Sequence, residues 1–292
     1  GRDAELAMVQ ADLAEVAREG GSVRAFLGDY GTGKTHMLEL GQLAALDQNF
    51  VTARVVLDPE ETSPAQPKRV YRAVLRSLRY PDRREESGLG LAPLLERAAV
   101  SKTALEAFDV GPNRGRSLKQ RFEAGYHLYL SPAITYYRSL SHPLPKPLRD
   151  VPAEETQAWI QEKQRLLLDW IEGHPTLSNQ SIDQAFVKLP QPHPKVYSLL
   201  DFRPWSRIYG YVLSGIAQLA RHLGYAGLAV FVDEAEFYAL LSPQNRYYAR
   251  FLFRSWASSA LPPTAAAKRE PSGEADHALD EDGVDMGGYG VQ

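Results

Sequence analysis

Apolar residues recur every three or four positions over residues 3–19, with Leu6, Val9, Leu13 and Val16 on one stripe, and that period predicts a helix. Gly20-Gly21 breaks it, and Val23-Arg24-Ala25-Phe26-Leu27 then reads as a short strand. Residues 36–46, with Leu38, Leu43 and Leu46 along one side, read as the next helix. The run Val51-Thr52-Ala53-Arg54-Val55-Val56-Leu57 is rich in β-branched residues and reads as a second buried strand, ending at Asp58-Pro59. Pro67 opens a helix expected to reach Tyr80, where Pro81 stops it. From 81 to 205 the pattern is mostly helical, with segments at 91–108, 117–130 and 153–172 separated by proline- and glycine-bearing breaks. Ser206 looks like the cap of a helix over 207–223, and Leu228-Ala229-Val230-Phe231-Val232-Asp233-Glu234 reads as a buried strand ending in two acids. Ser242-Pro243 starts a last helix, to about Ala260.

A strand–loop–helix–strand order of this kind predicts an α/β fold, a parallel sheet flanked by helices. Residues 1–80 and 206–260 are expected to form its core. Residues 81–205 are expected to be a large helical insertion, and 261–292 a flexible, acidic, Pro/Gly-rich loop or tail.

Composition narrows the class. At 292 residues and 44% apolar content, the chain can bury a substantial core. It has no cysteine, which excludes disulfides, thiolate metal sites and cysteine nucleophiles. No apolar run is long enough to cross a bilayer and no signal pattern opens the chain, so a cytoplasmic protein without membrane contact is expected. The chain begins at Gly1, not Met, and we read it as part of a longer protein or a trimmed form of one. The net charge of −3 hides an asymmetry: seven acids lie from Glu270 onward, while the first 269 residues carry 33 basic against 29 acidic side chains. That excess is too small to identify a nucleic-acid binder by itself.

The candidate chemistry begins at Gly28-Asp29-Tyr30-Gly31-Thr32-Gly33-Lys34-Thr35, followed by His36. The spacing Gly, four residues, Gly-Lys-Thr is that of a P-loop, and it lies between an expected strand and an expected helix. The glycines let the backbone curl so that its N–H groups face inward, and the helix start adds partial positive charge. Lys34 then reaches the β- and γ-phosphates of a nucleotide, and the Thr35 hydroxyl can ligate Mg²⁺. A plain glycine turn beside a surface lysine is the alternative. The second landmark, Asp233-Glu234, ends a strand whose carboxyl end is expected at the phosphate site. Asp233 would hold Mg²⁺ and Glu234 would polarise the water that attacks the γ-phosphate. Taken without the loop, these acids could equally cap the next helix.

Two basic stripes also stand out. Arg69, Arg72, Arg76 and Arg79 share one face of the helix expected at 67–80, and Arg246, Arg250 and Arg254 recur every four residues in the last helix. Either could meet DNA phosphates or a neighbouring subunit, and pairing with solvent or local acids is the ordinary outcome for such faces.

With both landmarks placed, the chain resembles the P-loop ATP-binding domain of BREX (bacteriophage exclusion) defence proteins, within the AAA+-like (ASCE) P-loop NTPases. The residues that carry the resemblance are Gly1-Arg2-Asp3-Ala4-Glu5, Gly28 to Thr35, and Val232-Asp233-Glu234-Ala235-Glu236. It implies Mg²⁺-dependent ATP binding and hydrolysis in a multi-component antiphage assembly, with protein partners or self-association and possible DNA contact. It also implies that Arg2 and Asp3 lie near the adenine. Two features depart from the pattern. Lys34 and Asp233 are 199 positions apart, and no strand pattern follows Ala260 where AAA+-like enzymes place a sensor strand and an arginine finger. An ATP-gated switch or assembly platform with little turnover is therefore the second expectation, and phosphoryl transfer to a small molecule the third.

Overall fold

A computed structural model describes residues 2–112, 115–141, 152–175, 177–186, 194–197, 199 and 206–261. Two compact units divide the chain: Gly1–Gly88 with Leu200–Gln218 and Tyr225–Gln292, and Leu89–Leu199 with Leu219–Gly224. The expected tail from 262 to 292 lies outside the described residues.

The first unit is built on two parallel strands. β1 (Phe50–Val56) pairs with β2 (Gly227–Asp233) in a register that sets Phe50 opposite Gly227, Arg54 opposite Phe231 and Val56 opposite Asp233. Phe50, Val51, Thr52 and Ala53 of β1 are buried in succession, as a strand stretch covered on both faces requires. Before the strands come α1 (Asp3–Glu19) and α2 (Lys34–Asp47), and α2 packs on both strands. The contact is close because Gly41 of α2 has no side chain: a Cβ there would lie 3.0 Å from the Phe231 ring. Met37, Ala44 and Ala45 of α2 join Phe50, Val9 and Leu13 in one core cluster. On β1's other side lies α3 (Pro67–Arg76), which buries Val70, Tyr71, Val74 and Leu75.

The expected helix to Tyr80 ends early because Arg79 leaves it to pair with β1. The Thr52 and Arg79 backbones exchange hydrogen bonds of 2.9 and 2.8 Å, a one-residue antiparallel bridge.

The expected strand at 23–27 is not formed. Val23, Arg24, Ala25 and Leu27 are exposed and make no ladder with β1 or β2. A strand exists only where a neighbour takes its N–H and C=O groups. Here Arg24 is drawn to Asp12 of α1 in an ion pair, and only Phe26 reaches the core cluster. Among the described residues, β2 is thus paired on one edge only.

In the second unit α4 (Ala92–Val100) and α5 (Lys102–Ala107) take the place of one helix expected at 91–108. Ser101 adopts an extended backbone between them, and its hydroxyl accepts the Ala104 N–H. A capping box of Ser117 and Gln120 opens α6 (Leu118–Glu123), and the chain then turns at Gly125, where a Cβ would lie 2.1 Å from the Ala107 carbonyl oxygen. The sequence pattern missed α7 (Leu130–Ser141), which starts where His127 Nδ1 accepts the N–H groups of Tyr129 and Leu130 at 3.2 and 3.1 Å. α8 (Ala153–Ile171) follows as expected, then α9 (Asn179–Phe186). Trp170 against Tyr129 and Tyr136 against Phe186 fill this core. At its margin the Asp109 carboxylate is held by Arg116 and Arg121.

α10 (Ser206–His222) precedes β2, and its residues up to Gln218 return to the first unit, where Tyr209 meets Tyr71 with ring centroids 5.1 Å apart. Ser206 does not cap it; its buried hydroxyl finds no partner among the described residues. β2 runs into a 3-10 turn, Ala235–Leu240, and then α11 (Pro243–Ala260), which is capped by Ser242 as expected.

Replacing Gly41 by Val would force α2 off β2. An overpacked contact of this kind costs about 1–3 kcal/mol, so the urea midpoint of unfolding should fall with an unchanged slope. A midpoint equal to wild type would mean that the Phe231 ring moves aside freely.

Candidate functional site

The loop from Gly28 to Gly33 is a tight turn. The Thr32 N–H and hydroxyl both donate to the Asp29 carbonyl, at 3.3 and 2.8 Å, and Gly31 and Gly33 adopt left-handed backbone angles. Gly33 is the residue before α2 and brings no side chain to cap it, so the N–H groups of the first turn have no side-chain acceptor at this cap. Such a helix start is suited to an anion.

Lys34 folds back over the loop. Its ammonium donates to the carbonyls of Gly28 at 2.9 Å and Asp29 at 3.3 Å, and lies 3.6 Å from a carboxylate oxygen of Glu236. Asp29, Tyr30 and Thr32 are exposed; Tyr30 keeps 98% of its surface. His36 is also exposed, 3.6 Å from Glu39. The Arg2 guanidinium lies alongside Gly33, with Nη2 3.5 Å from where a Cβ there would be. That is beside the phosphate loop.

The register of β1 and β2 brings Asp233 to this loop across most of the chain. Its Oδ1 accepts the Glu234 N–H at 3.0 Å and faces the Thr35 hydroxyl at 3.4 Å. Its Oδ2 accepts from Arg54 Nη2 at 3.1 Å. The Asp233 side chain is only 6% exposed, so these partners carry its charge. Arg54 also binds Glu39 of α2 at 2.9 Å. The Arg54 guanidinium holds the Glu39 carboxyl below its ordinary range, and the Glu39 hydrogen bond raises Arg54, against the opposing effect of burial. Arg54 Nε is buried without a partner among the described residues.

Glu234, the other acid of the pair, behaves differently. It sits in the left-handed region at φ 57° and ψ 32°, and its carboxylate makes no bond or ion pair among the described residues. Thr35 therefore meets Asp233 and Lys34 meets Glu236, while the Glu234 side chain is unheld among the described residues.

A magnesium ion at a phosphate site takes one or two protein oxygens and leaves the remaining positions to phosphate and water. Thr35 Oγ1 and Asp233 Oδ1 are a hard-oxygen pair of that kind, and no cluster of three His, Asp or Glu ligands competes with them among the described residues. The donors fit the ion.

Sequence reasoning missed Arg54, Glu39 and Glu236. Arg54 carried a signal, since a cation inside the apolar run from Val51 to Leu57 needs a buried counter-charge. Glu236 stood in a stretch that carries the family resemblance, but with no role assigned to it.

The arginine stripe also changes. Arg69 donates to the Glu60 carbonyl at 2.9 Å, Arg79 is off the helix and donates to the Arg84 carbonyl at 3.1 Å, and Arg72 and Arg76 make no side-chain bond. None of the four pairs with a carboxylate among the described residues. Among those residues, no helix is long and apolar enough to cross a membrane.

No curated protein and no solved structure matches the chain. A family model does, over residues 1–250, which include the loop at 28–35, the strand ending at Asp233 and the turn that carries Glu236; it is described as BREX system ATP-binding protein BrxC/D. The chain belongs to that family, as an ATP-binding component of the BREX defence system.

Proposed function

We propose that the chain is a Mg²⁺-dependent ATPase module with a P-loop NTPase fold of the AAA+-like kind, whose core is 1–80 with 206–260 and whose helical insertion is 81–205. The observation that supports it is the meeting of Thr35 with Asp233 at 3.4 Å, beside Lys34. In this reading the N–H groups of Gly28 to His36 cradle the phosphates, and Lys34 neutralises the β- and γ-oxygens. Thr35 and Asp233 hold the metal ion, which when bound spreads the charge of the phosphates. Glu234 takes a proton from the attacking water. Turnover would drive rearrangement of the helical insertion, of a protein partner or of a second copy, in a cytoplasmic assembly.

A second reading, the ATP-gated switch, is favoured by one observation: among the described residues nothing orients the Glu234 carboxylate. Catalysis needs the base fixed within hydrogen-bond reach of its proton. DNA contact is a further element of the proposal, supported by the exposed Arg76 and the half-buried Arg72, which have no carboxylate partner among the described residues.

Nucleotide titration and phosphate release decide among these. Lys34→Ala removes one side of a charge pair with the phosphates, worth about 2 kcal/mol or more, and should weaken ATP binding by at least ~30-fold. Glu234→Gln should keep ATP affinity and lower turnover by about 10²–10⁴-fold. Wild-type binding without phosphate release in any assembly selects the switch. For DNA, Arg72→Glu with Arg76→Glu should reduce the slope of log affinity against log salt by about two, one for each phosphate contact. An unchanged slope removes DNA from the account.

A further inference from the structure

Lysine has three N–H donors and no acceptor; the Lys34 ammonium donates to the Gly28 and Asp29 carbonyls and forms an ion pair with the Glu236 carboxylate at 3.6 Å. Only the third of these is an anion. It comes from a different element, the 3-10 turn over Ala235–Leu240, and it reaches Lys34 because of the backbone at Glu234. That residue's left-handed turn sends the chain sideways at the end of β2, so that the acid two places later faces the loop. Glu236 is half exposed, at 53%, and free to swing away, whereas Asp233 is fixed by Arg54 and by the Glu234 N–H.

We propose that Glu236 is an internal competitor of nucleotide phosphate: it occupies Lys34 in the empty site and is expelled when a polyphosphate arrives. The proposal rests on the ATP-binding reading above. Two anions cannot share one ammonium at contact distance without repulsion, and a polyphosphate of several charges outcompetes a single carboxylate. Glu236 then leaves, and the 3-10 turn follows it. That turn is short: the Phe237 N–H donates to the Glu234 carbonyl at 3.1 Å at its start and the Leu241 N–H to the Tyr238 carbonyl at 3.3 Å at its end, and none of its residues is buried. Leu240, at its end, keeps 74% of its surface exposed. Site occupancy is thereby reported at the start of α11 without any contact between nucleotide and that helix.

The test uses Glu236→Gln, which keeps the side-chain shape, with the Mg²⁺ complex of the β,γ-imido analogue of ATP as probe. An exposed ion pair is worth about 0.2–1 kcal/mol, so the variant should bind the analogue about 1.4- to fivefold more tightly than wild type. Amide hydrogen exchange over residues 235–241 should rise in wild type when the analogue is added, and in the variant should already be raised without it. Binding that is unchanged or weaker in the variant overturns the proposal. So does tighter binding with no exchange difference, which would be a long-range charge effect alone, and so does unchanged affinity with lost turnover, which would make Glu236 a residue of the chemistry. Failure of wild type to bind the analogue at all is a separate outcome, which overturns the ATP reading and the competitor role with it.

Discussion

A carboxylate as deeply buried as that of Asp233 must have its charge met by neighbours, and this requirement organises the site. An unpaired ion in such a place costs several kcal/mol. Arg54 supplies the counter-charge from the adjacent strand, and Thr35 and the Glu234 N–H supply polar contacts to the other oxygen. All of this depends on the parallel pairing of β1 and β2. A shift of one residue would turn Arg54 and Asp233 to opposite faces of the sheet. Arg54 in turn ties Glu39, so strand β1, strand β2 and helix α2 meet at a single guanidinium.

The division of labour among the three acids after β2 follows from the same geometry. Asp233 is fixed on both oxygens, Glu234 has no side-chain partner among the described residues, and Glu236 lies against Lys34. The charges that a nucleotide phosphate would meet are thus already engaged with one another.

How much of this was legible in the sequence depends on whether a feature is local. Helices α1, α2, α8, α10 and α11 and strands β1 and β2 follow from periodicity, β-branching and proline or glycine punctuation, and the structure places them within a residue or two. That Thr35 lies against Asp233 was expected from two motifs that share one chemistry. Features set by a distant partner were not readable. Val23–Leu27 has strand composition, yet no described strand lies alongside to take its hydrogen bonds. Arg79 has helix-stripe spacing, yet Thr52 captures its backbone. The Glu236 contact depends on one left-handed residue, and glutamate carries no sequence signature for that conformation.

The central claim is that Thr35 and Asp233 share one metal ion on a bound triphosphate. The most direct measurement is ATP affinity as a function of Mg²⁺ concentration in wild type and in Asp233→Asn, which keeps the shape and removes the charge. The account predicts that Mg²⁺ tightens ATP binding in wild type and that the variant loses most of that dependence while remaining folded. The same Mg²⁺ dependence in both proteins would contradict it.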